Sequence, residues 1–311
     1  ASRVLELTLT SRAKDAHGTA IPMCGLPWHA VDGYLARLVR KGYRVAICDQ
    51  VEDPKKAKGV VKREVTRVVS PGTFTDAGYL EAREPAFLVA LAATGPGGQT
   101  WGLACLDVST GEFSAAEFTG ADRDAALAAE LSLLRPRELL TAEGVDVSTF
   151  VTHVPDARVT RVDPWTFEIT RATEVLCQQL RTASLVGHGL DRAPAAVSAA
   201  GAVLAYLGET QRTELTHVRD ITMRVAADAV LIDPVTLRHL NVIEGVEGGR
   251  RGSLLDEVDR TVTAMGGRLL RQWLVRPLVT LAPIQDRLDA VEDFAFRSAE
   301  RGKLREALRS I

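Results

Sequence analysis

The sequence predicts two α/β units followed by a mainly α-helical region, and three observations carry that prediction. In residues 31–39, Val31, Tyr34, Leu35, Leu38 and Val39 recur at the spacing of one helix face, and Tyr43, Val45 and Ile47 then alternate with polar or small residues at the period of a strand. Residues 86–118 hold three short apolar or alternating runs separated by Gly-rich and Ser-Thr-Gly turns, the pattern of antiparallel strands. From residue 170 onward the apolar spacing is largely helical. A chain of 311 residues has room for about two to three domains, each able to bury a core.

Taken in order, residues 1–9 read as the end of a helix running into a strand at 5–10. Ser11-Arg12-Ala13-Lys14 follows as a polar turn with two cations, and residues 21–27 read as a rigid apolar loop. The next helix carries Arg37, Arg40 and Lys41 on its polar face and last turn, where cations suit the helix dipole, and Gly42 stands where a left-handed C-cap is wanted. Lys55, Lys56 and Lys58 fall in a loop or short helix after Pro54. Lys62, Arg63 and Arg67 then decorate a strand of impure alternation, since Val65 and Val69 share a face with Arg63 and Arg67, which suits an edge strand with one wet face. Pro71-Gly72-Thr73 closes this first unit with turn residues.

The second unit begins near residue 84. Residues 86–91 form a buried strand, 95–98 a hairpin turn, and 101–108 and 112–118 two further strands. Asp122 suits the N-cap of a helix over 123–134, and 137–141 reads as another strand. Apolar faces built from Val175, Leu176 and Leu180, then Val203, Leu204, Tyr206 and Leu207, flank the turn Gly187-His188-Gly189, whose histidine reads as a loop residue. Residues 228–240 hold a short strand and a helix. Met265, Leu269, Leu270, Trp273 and Leu274 make a helical stripe that reads as core, Pro277 stops that helix, and another helix starts at residue 284.

The overall balance of 38 Lys/Arg against 40 Asp/Glu hides an asymmetry. Residues 1–75 hold 13 basic and 7 acidic side chains, a net of +6, whereas residues 83–210 hold 9 and 16, a net of −7. The first stretch is suited to face phosphate, although a solvated charged surface accounts for the same numbers, and the second is unsuited to gripping phosphates. Cys24, Cys48, Cys105 and Cys177 form no C-x-x-C pair and read as buried free thiols of a reducing cytoplasm. There is no apolar run of the ~18 residues a membrane span requires and no signal-peptide pattern, so a cytoplasmic, membrane-free protein is expected.

Two stretches resemble the MutS family of DNA mismatch-repair proteins. The first runs from Ile21-Pro22-Met23-Cys24-Gly25-Leu26-Pro27-Trp28-His29-Ala30 through Gln50-Val51-Glu52-Asp53-Pro54 to Lys62-Arg63-Glu64-Val65-Thr66-Arg67-Val68-Val69-Ser70-Pro71-Gly72-Thr73. The second spans residues 237–244 and 253–278. Departures are small: Cys24, Trp28 and Asp49 stand where the family pattern has Ala, Tyr and Glu, and Trp28 keeps an aromatic ring with a polar handle. The resemblance implies a mismatch-recognition domain at 1–75 with a mixed sheet, a ribonuclease-H-like connector at 84–210 and the start of a helical core or lever domain at 211–311.

It further implies a non-enzymatic DNA-recognition and coupling fragment, binding duplex DNA with mismatches. The parent would be a homodimeric ATPase that uses ATP and magnesium, kinks DNA at a mispair and recruits a MutL-type partner through the connector. No cofactor or metal is expected in this chain itself, which has no G-x-x-x-x-G-K-[ST] phosphate loop. The resemblance implies DNA-face roles for Arg12, Lys14, Pro22, Met23, His29, Lys55 and Arg63. Arg12 and Lys14 suit phosphate contacts or a plain exposed turn, and Pro22 and Met23 suit either the DNA face or the domain core. The family's Phe-x-Glu motif, whose Phe wedges beside the mispair and whose Glu hydrogen-bonds it, does not occur here, so the chain reads as an N-terminal fragment with no mismatch preference of its own.

The rival reading is a metal-dependent nuclease built on Asp107 in Asp107-Val108-Ser109-Thr110-Gly111, with Glu112 and Glu168 as the other acids. Against it stands the reading of Asp107 as a strand-end residue holding a turn through its side chain. A scaffold module without DNA affinity is the third option.

Overall fold

A computed structural model describes residues 2–53, 61–74, 83–95, 97–212, 215–225, 229–230 and 232–309. The chain opens with a short helix, α1 (Ser2–Leu5), ended by Glu6 in the left-handed region at φ 58°. Strand β1 (Thr10–Lys14) then pairs antiparallel with β2 (Ala20–Met23). Both elements correct the sequence reading, which put a strand at 5–10, a turn at 11–14 and a loop at 21–27. The turn lies later because the Asp15 carboxylate accepts from the backbone N–H groups of His17 and Thr19 at 2.9 and 2.8 Å, and Gly18 supplies the positive φ that closes the hairpin.

A 3-10 turn at Trp28–Ala30 leads into α2 (Val31–Arg40), which buries Leu35, Ala36 and Val39 against Val69 and Phe74. Gly42 takes φ 78°, as its position after the helix requires. Strands β3 (Val45–Gln50) and β4 (Arg63–Val69) pair antiparallel. Their register slips between Ile47, opposite Arg67, and Cys48, opposite Val65, leaving Thr66 as the extra residue of a bulge. That bulge is the cause of the impure alternation in β4. Among the described residues, the strands of this segment form two separate antiparallel pairs and not the mixed sheet expected of it.

The mixed sheet belongs to the centre of the chain. It comprises β5 (Phe87–Thr94), β6 (Thr100–Asp107) and β7 (Glu112–Phe118) in antiparallel array, followed by helix α3 (Arg123–Leu134), β8 (Glu138–Ala142), the short helix α4 (Ser148–Val151) and β9 (Arg158–Val162). Helices α5 (Ile169–Leu180) and α6 (Pro194–Gln211) come next, and β10 (Thr222–Met223) completes a sheet of order β10-β7-β6-β5-β8-β9. Strand β8 runs parallel to both β5 and β9, and β10 parallel to β7.

Each face of this sheet is covered. Val89, Leu91, Leu103 and Cys105 face α3, while Leu88, Ala90, Ala104 and Leu106 face α5 and α6. Burial on both sides is why these strands read as nearly continuous apolar runs. The α6 backbone lies directly on β6: a Cβ at Gly102 would sit 1.9 Å from the Ala195 carbonyl oxygen. Gly201 likewise lets α6 meet Ala172 of α5. Asp122 precedes α3 but makes no side-chain cap, and it is Asp124 that accepts from Trp101 Nε1, at 2.9 Å. Strands β9 and β10 escaped the sequence reading, β9 because it alternates Val with Arg and Thr, β10 because it is two residues long.

The third region holds α7 (Pro234–His239), α8 (Leu254–Val258), α9 (Ala264–Val275), α10 (Leu281–Phe296) and α11 (Ser298–Leu308). Asp233, Ser253 and Thr263 cap α7, α8 and α9 through their side chains. The strand expected near residue 228 is a single bridge between Ala229 and Leu278. The stripe expected to be core is so only in part: Met265, Leu269 and Trp273 on α9 are 53, 46 and 39 % exposed, whereas Leu270 and Leu274 are half-buried and Leu274 packs against Leu133, Leu237, Val242 and Val275. Helix α9 instead turns Arg268 and Gln272 toward the central sheet, where carboxylates meet them. Cys105 is buried, its thiol pushed up to about 12 by that burial, but Cys48 is exposed on β3 and departs from the buried-thiol expectation. Among the described residues, no helix is long and apolar enough to cross a membrane.

Candidate nucleic-acid interface

The β1–β2 hairpin gathers four of the residues singled out in the sequence. Arg12 and Lys14 lie on β1, with Lys14 opposite Ala20, and Pro22 and Met23 on β2 stand opposite Ser11 and Thr10. Strand β2 is exposed along its whole length, which removes Pro22 and Met23 from any core. Arg12 and Lys14 belong to strand β1 and not to the turn expected there, and Lys14 is exposed. Ile21, Met23 and Trp28 show 48, 38 and 87 % of their surface to solvent. His29 is exposed in the 3-10 turn that follows β2. Trp28 was read only as a tolerated departure, yet an indole left this open is the most conspicuous apolar group of the segment.

Arg63 sits apart from the hairpin, at the first position of β4 opposite Gln50, with Arg67 exposed further along the same strand. Lys62 beside it is spoken for by Glu64 at 2.6 Å. Lys55 lies outside the described residues. The structure thus unites Arg12, Lys14, Pro22 and Met23, follows them with Trp28 and His29, and puts Arg63 on a second sheet.

That second sheet is fastened to the central unit. Arg212 donates to the Val65 carbonyl at 2.6 Å and Gln211 to the Val68 carbonyl at 3.2 Å, both from the end of α6. The chain then passes through Ser70-Pro71-Gly72-Thr73, a segment read as a closing turn that is in fact buried against Glu138. The Glu138 carboxylate is fully buried and takes donors from Ser70, Gly72, Thr160 and Tyr206. Burial, with the Glu138 charge beside it, drives the Tyr206 hydroxyl well above its ordinary range, so it stays a donor.

Cations on an extended hairpin edge can neutralise phosphates, and exposed apolar side chains beside them suit a groove wall or a base step. The central sheet offers no comparable chemistry. Asp107 is 1 % exposed. Its Oδ1 accepts from the Ser109 backbone N–H at 3.0 Å and hydroxyl at 2.6 Å, and its Oδ2 from Arg268 at 2.8 Å. Glu112 accepts from Gln272 at 2.9 Å, and Glu168 is an exposed residue at the start of α5. Among the described residues no cluster of three or more His, Cys, Asp or Glu has metal-site geometry. The nuclease reading therefore fails: the carboxylate it needs is a turn residue neutralised by an arginine.

Family models match the chain in three consecutive blocks, MutS domain I over residues 1–78, MutS domain II over 86–219 and MutS domain III over 235–311. Relatives named DNA mismatch repair protein MutS include those of Symbiobacterium thermophilum, 44 % identical, Solibacter usitatus, 43 % identical, and Myxococcus xanthus, 42 % identical. Each similarity covers 100 % of this chain and 36, 36 and 35 % of the relative, so the chain spans about a third of the length of the proteins it matches. With three successive domain models and identity sustained from end to end, the chain belongs to the MutS family.

Proposed function

We propose that this chain is the DNA-engaging and coupling portion of a mismatch-repair protein. The observation that carries the reading is the exposed β1–β2 hairpin, where the cations Arg12 and Lys14 share a strand pair with the bare apolar side chains of Ile21 and Met23, and Trp28 follows. Phosphate contacts fix position on a duplex without reading sequence, and apolar wedges exploit sites where DNA deforms easily. Lys14, Met23, Pro22, His29 and Arg12 are the proposed DNA-facing residues, with Arg63 and Lys55 as flanking cations. Titration of the 311-residue chain with duplex DNA tests this. Binding at about 10⁻⁴–10⁻⁶ M that weakens as salt rises supports it, and binding absent at low salt defeats it.

The domain division at 1–75, 84–210 and 211–311 is part of the same proposal, although β10 (Thr222–Met223), which pairs with β7, lies beyond the second boundary and belongs to the central sheet. The strand order of the central unit, with three antiparallel strands followed by parallel β8 and β9, favours a ribonuclease-H-like connector. Its acidic balance favours protein docking over DNA contact, and a MutL-type partner is the proposed occupant. For the longer protein we propose a cytoplasmic homodimer that hydrolyses ATP with magnesium in a region beyond the three domains present here.

A further inference from the structure

The DNA reading leaves unused a cleft of about 510 Å³ between the central unit and the third region. Its walls come from the turn after α3, from the segment around His153, and from α7 and α9. The lining carries a small excess of positive charge. Arg135, Arg137, Arg238 and Arg271 line it together with His153, against Glu84, Asp156 and Glu244. Two of those acids are already committed, Glu244 to Arg135 and Glu84 to Arg137 at 3.5 Å.

Arg238 and Arg271 form no ion pair or side-chain hydrogen bond among the described residues, and both stand near the same Glu244, which is held below its ordinary range first by its bond from Arg135. Arg271 is half-buried, and burial, with the neighbouring Arg135 charge, disfavours its charged form. A guanidinium stays ionised in such a place, so it is a cation held without a full partner.

We propose that this cleft binds a small phosphate-bearing anion, a pyrophosphate or the polyphosphate tail of a nucleotide, with Arg238 and Arg271 as its principal contacts. Two guanidiniums that line one space and are unpaired among the described residues, Arg238 and Arg271, suit the oxygens of a polyphosphate better than a single carboxylate. The volume falls within the range of small-molecule sites, roughly 300–1,000 Å³, and a concave space of that size does not admit a duplex. No aromatic ring except the His153 imidazole lines the cleft, so the phosphates carry the recognition and a base adds little.

Calorimetric titration of the 311-residue chain with inorganic pyrophosphate, at constant ionic strength made up with chloride, tests the assignment. Saturable one-to-one binding is expected, weakened by about tenfold or more in Arg238→Gln and in Arg271→Gln, as loss of a charge-assisted bidentate contact implies. ATP should compete with pyrophosphate at comparable affinity, and duplex DNA should not displace it. Absence of saturable binding, or unchanged affinity in the variants, overturns the proposal, and stoichiometric displacement by duplex overturns the small-ligand assignment. Arg238 is exposed and its variant is expected to fold. If Arg271→Gln does not, the Arg238→Gln affinity alone decides.

Discussion

Tyr206 on α6 donates its hydroxyl to Oε1 of Glu138 on β8 at 2.8 Å, and both side chains are buried. The same oxygen accepts from Thr160 of β9 at 2.7 Å, and Oε2 accepts from the Gly72 backbone at 3.0 Å and from the Ser70 hydroxyl. One carboxylate thus joins two strands and a helix of the central unit to the segment leaving the N-terminal α2–β3–β4 part. Glu138→Ala should strand several buried donors at once and cost about 3 kcal/mol or more, whereas Tyr206→Phe should cost about 1–2 kcal/mol. Urea unfolding followed by tryptophan fluorescence measures both, and equal small effects would contradict the network.

Gly72 touches that carboxylate closely. A Cβ there would lie 2.8 Å from Glu138 Cβ and 2.9 Å from Leu88 Cδ1. Glu138 Cβ is fixed to the backbone and Leu88 is fully buried, so neither can easily give way and Gly72→Ala is expected to destabilise by about 1–3 kcal/mol through overpacking. Thermal denaturation compared with Gly25→Ala, where a Cβ meets open space, isolates the effect.

Asp107 and Arg268 predict a stability change in place of a catalytic one. Asp107→Asn keeps the bond from Ser109 but weakens the hold on Arg268, which is largely but not fully shielded beside it. A loss of about 1–3 kcal/mol is expected, the cost of an imperfectly matched, shielded cation. Chemical denaturation reads this directly, and a magnesium-dependent cutting activity that Asp107→Asn abolishes would reverse the assignment.

Glu130 gives a pH dependence. Burial works to raise its carboxyl pKa, but the Arg224 and Arg276 guanidiniums beside it prevail and hold it below the ordinary 4.5. The unfolded state therefore takes up its proton first as pH falls. The stabilising contribution is present above about pH 4.5 and is lost on descending through the lower, folded-state value. Stability followed from pH 7 into the acid range should fall less steeply in Glu130→Gln than in the parent, although the variant starts less stable.

On DNA, Lys14→Gln should lower the slope of log affinity against log salt by roughly one unit, as loss of one phosphate contact does. Trp28→Ala should weaken binding with the slope unchanged, because an indole releases no counterions. A G·T duplex and its matched control should bind within a few-fold of each other, since no Phe-x-Glu occurs in the chain. A preference of about tenfold, ~1.4 kcal/mol, would show that Met23 or its neighbours read the lesion directly.

What the sequence by itself determined lies in short-range patterns. The α2–β3 unit, the three strands of residues 87–118, helix α3 over Arg123–Leu134 and the stop before Pro277 all follow from periodicity and turn chemistry within a few residues. The MutS resemblance was legible for a different reason, since long ordered stretches of residues identify a family without any geometry. Tertiary structure alone decided the rest. Whether Pro22 and Met23 were core or surface depended on a hairpin closed by Asp15, and whether Asp107 could serve a metal depended on Arg268, 161 residues away. Which face of α9 was buried depended on carboxylates waiting on another element: its apolar stripe marked a helix correctly but left its partner unspecified. Periodicity reports the local geometry of a backbone, whereas burial and charge pairing are properties of the surface that arrives opposite it, and that surface comes from distant sequence.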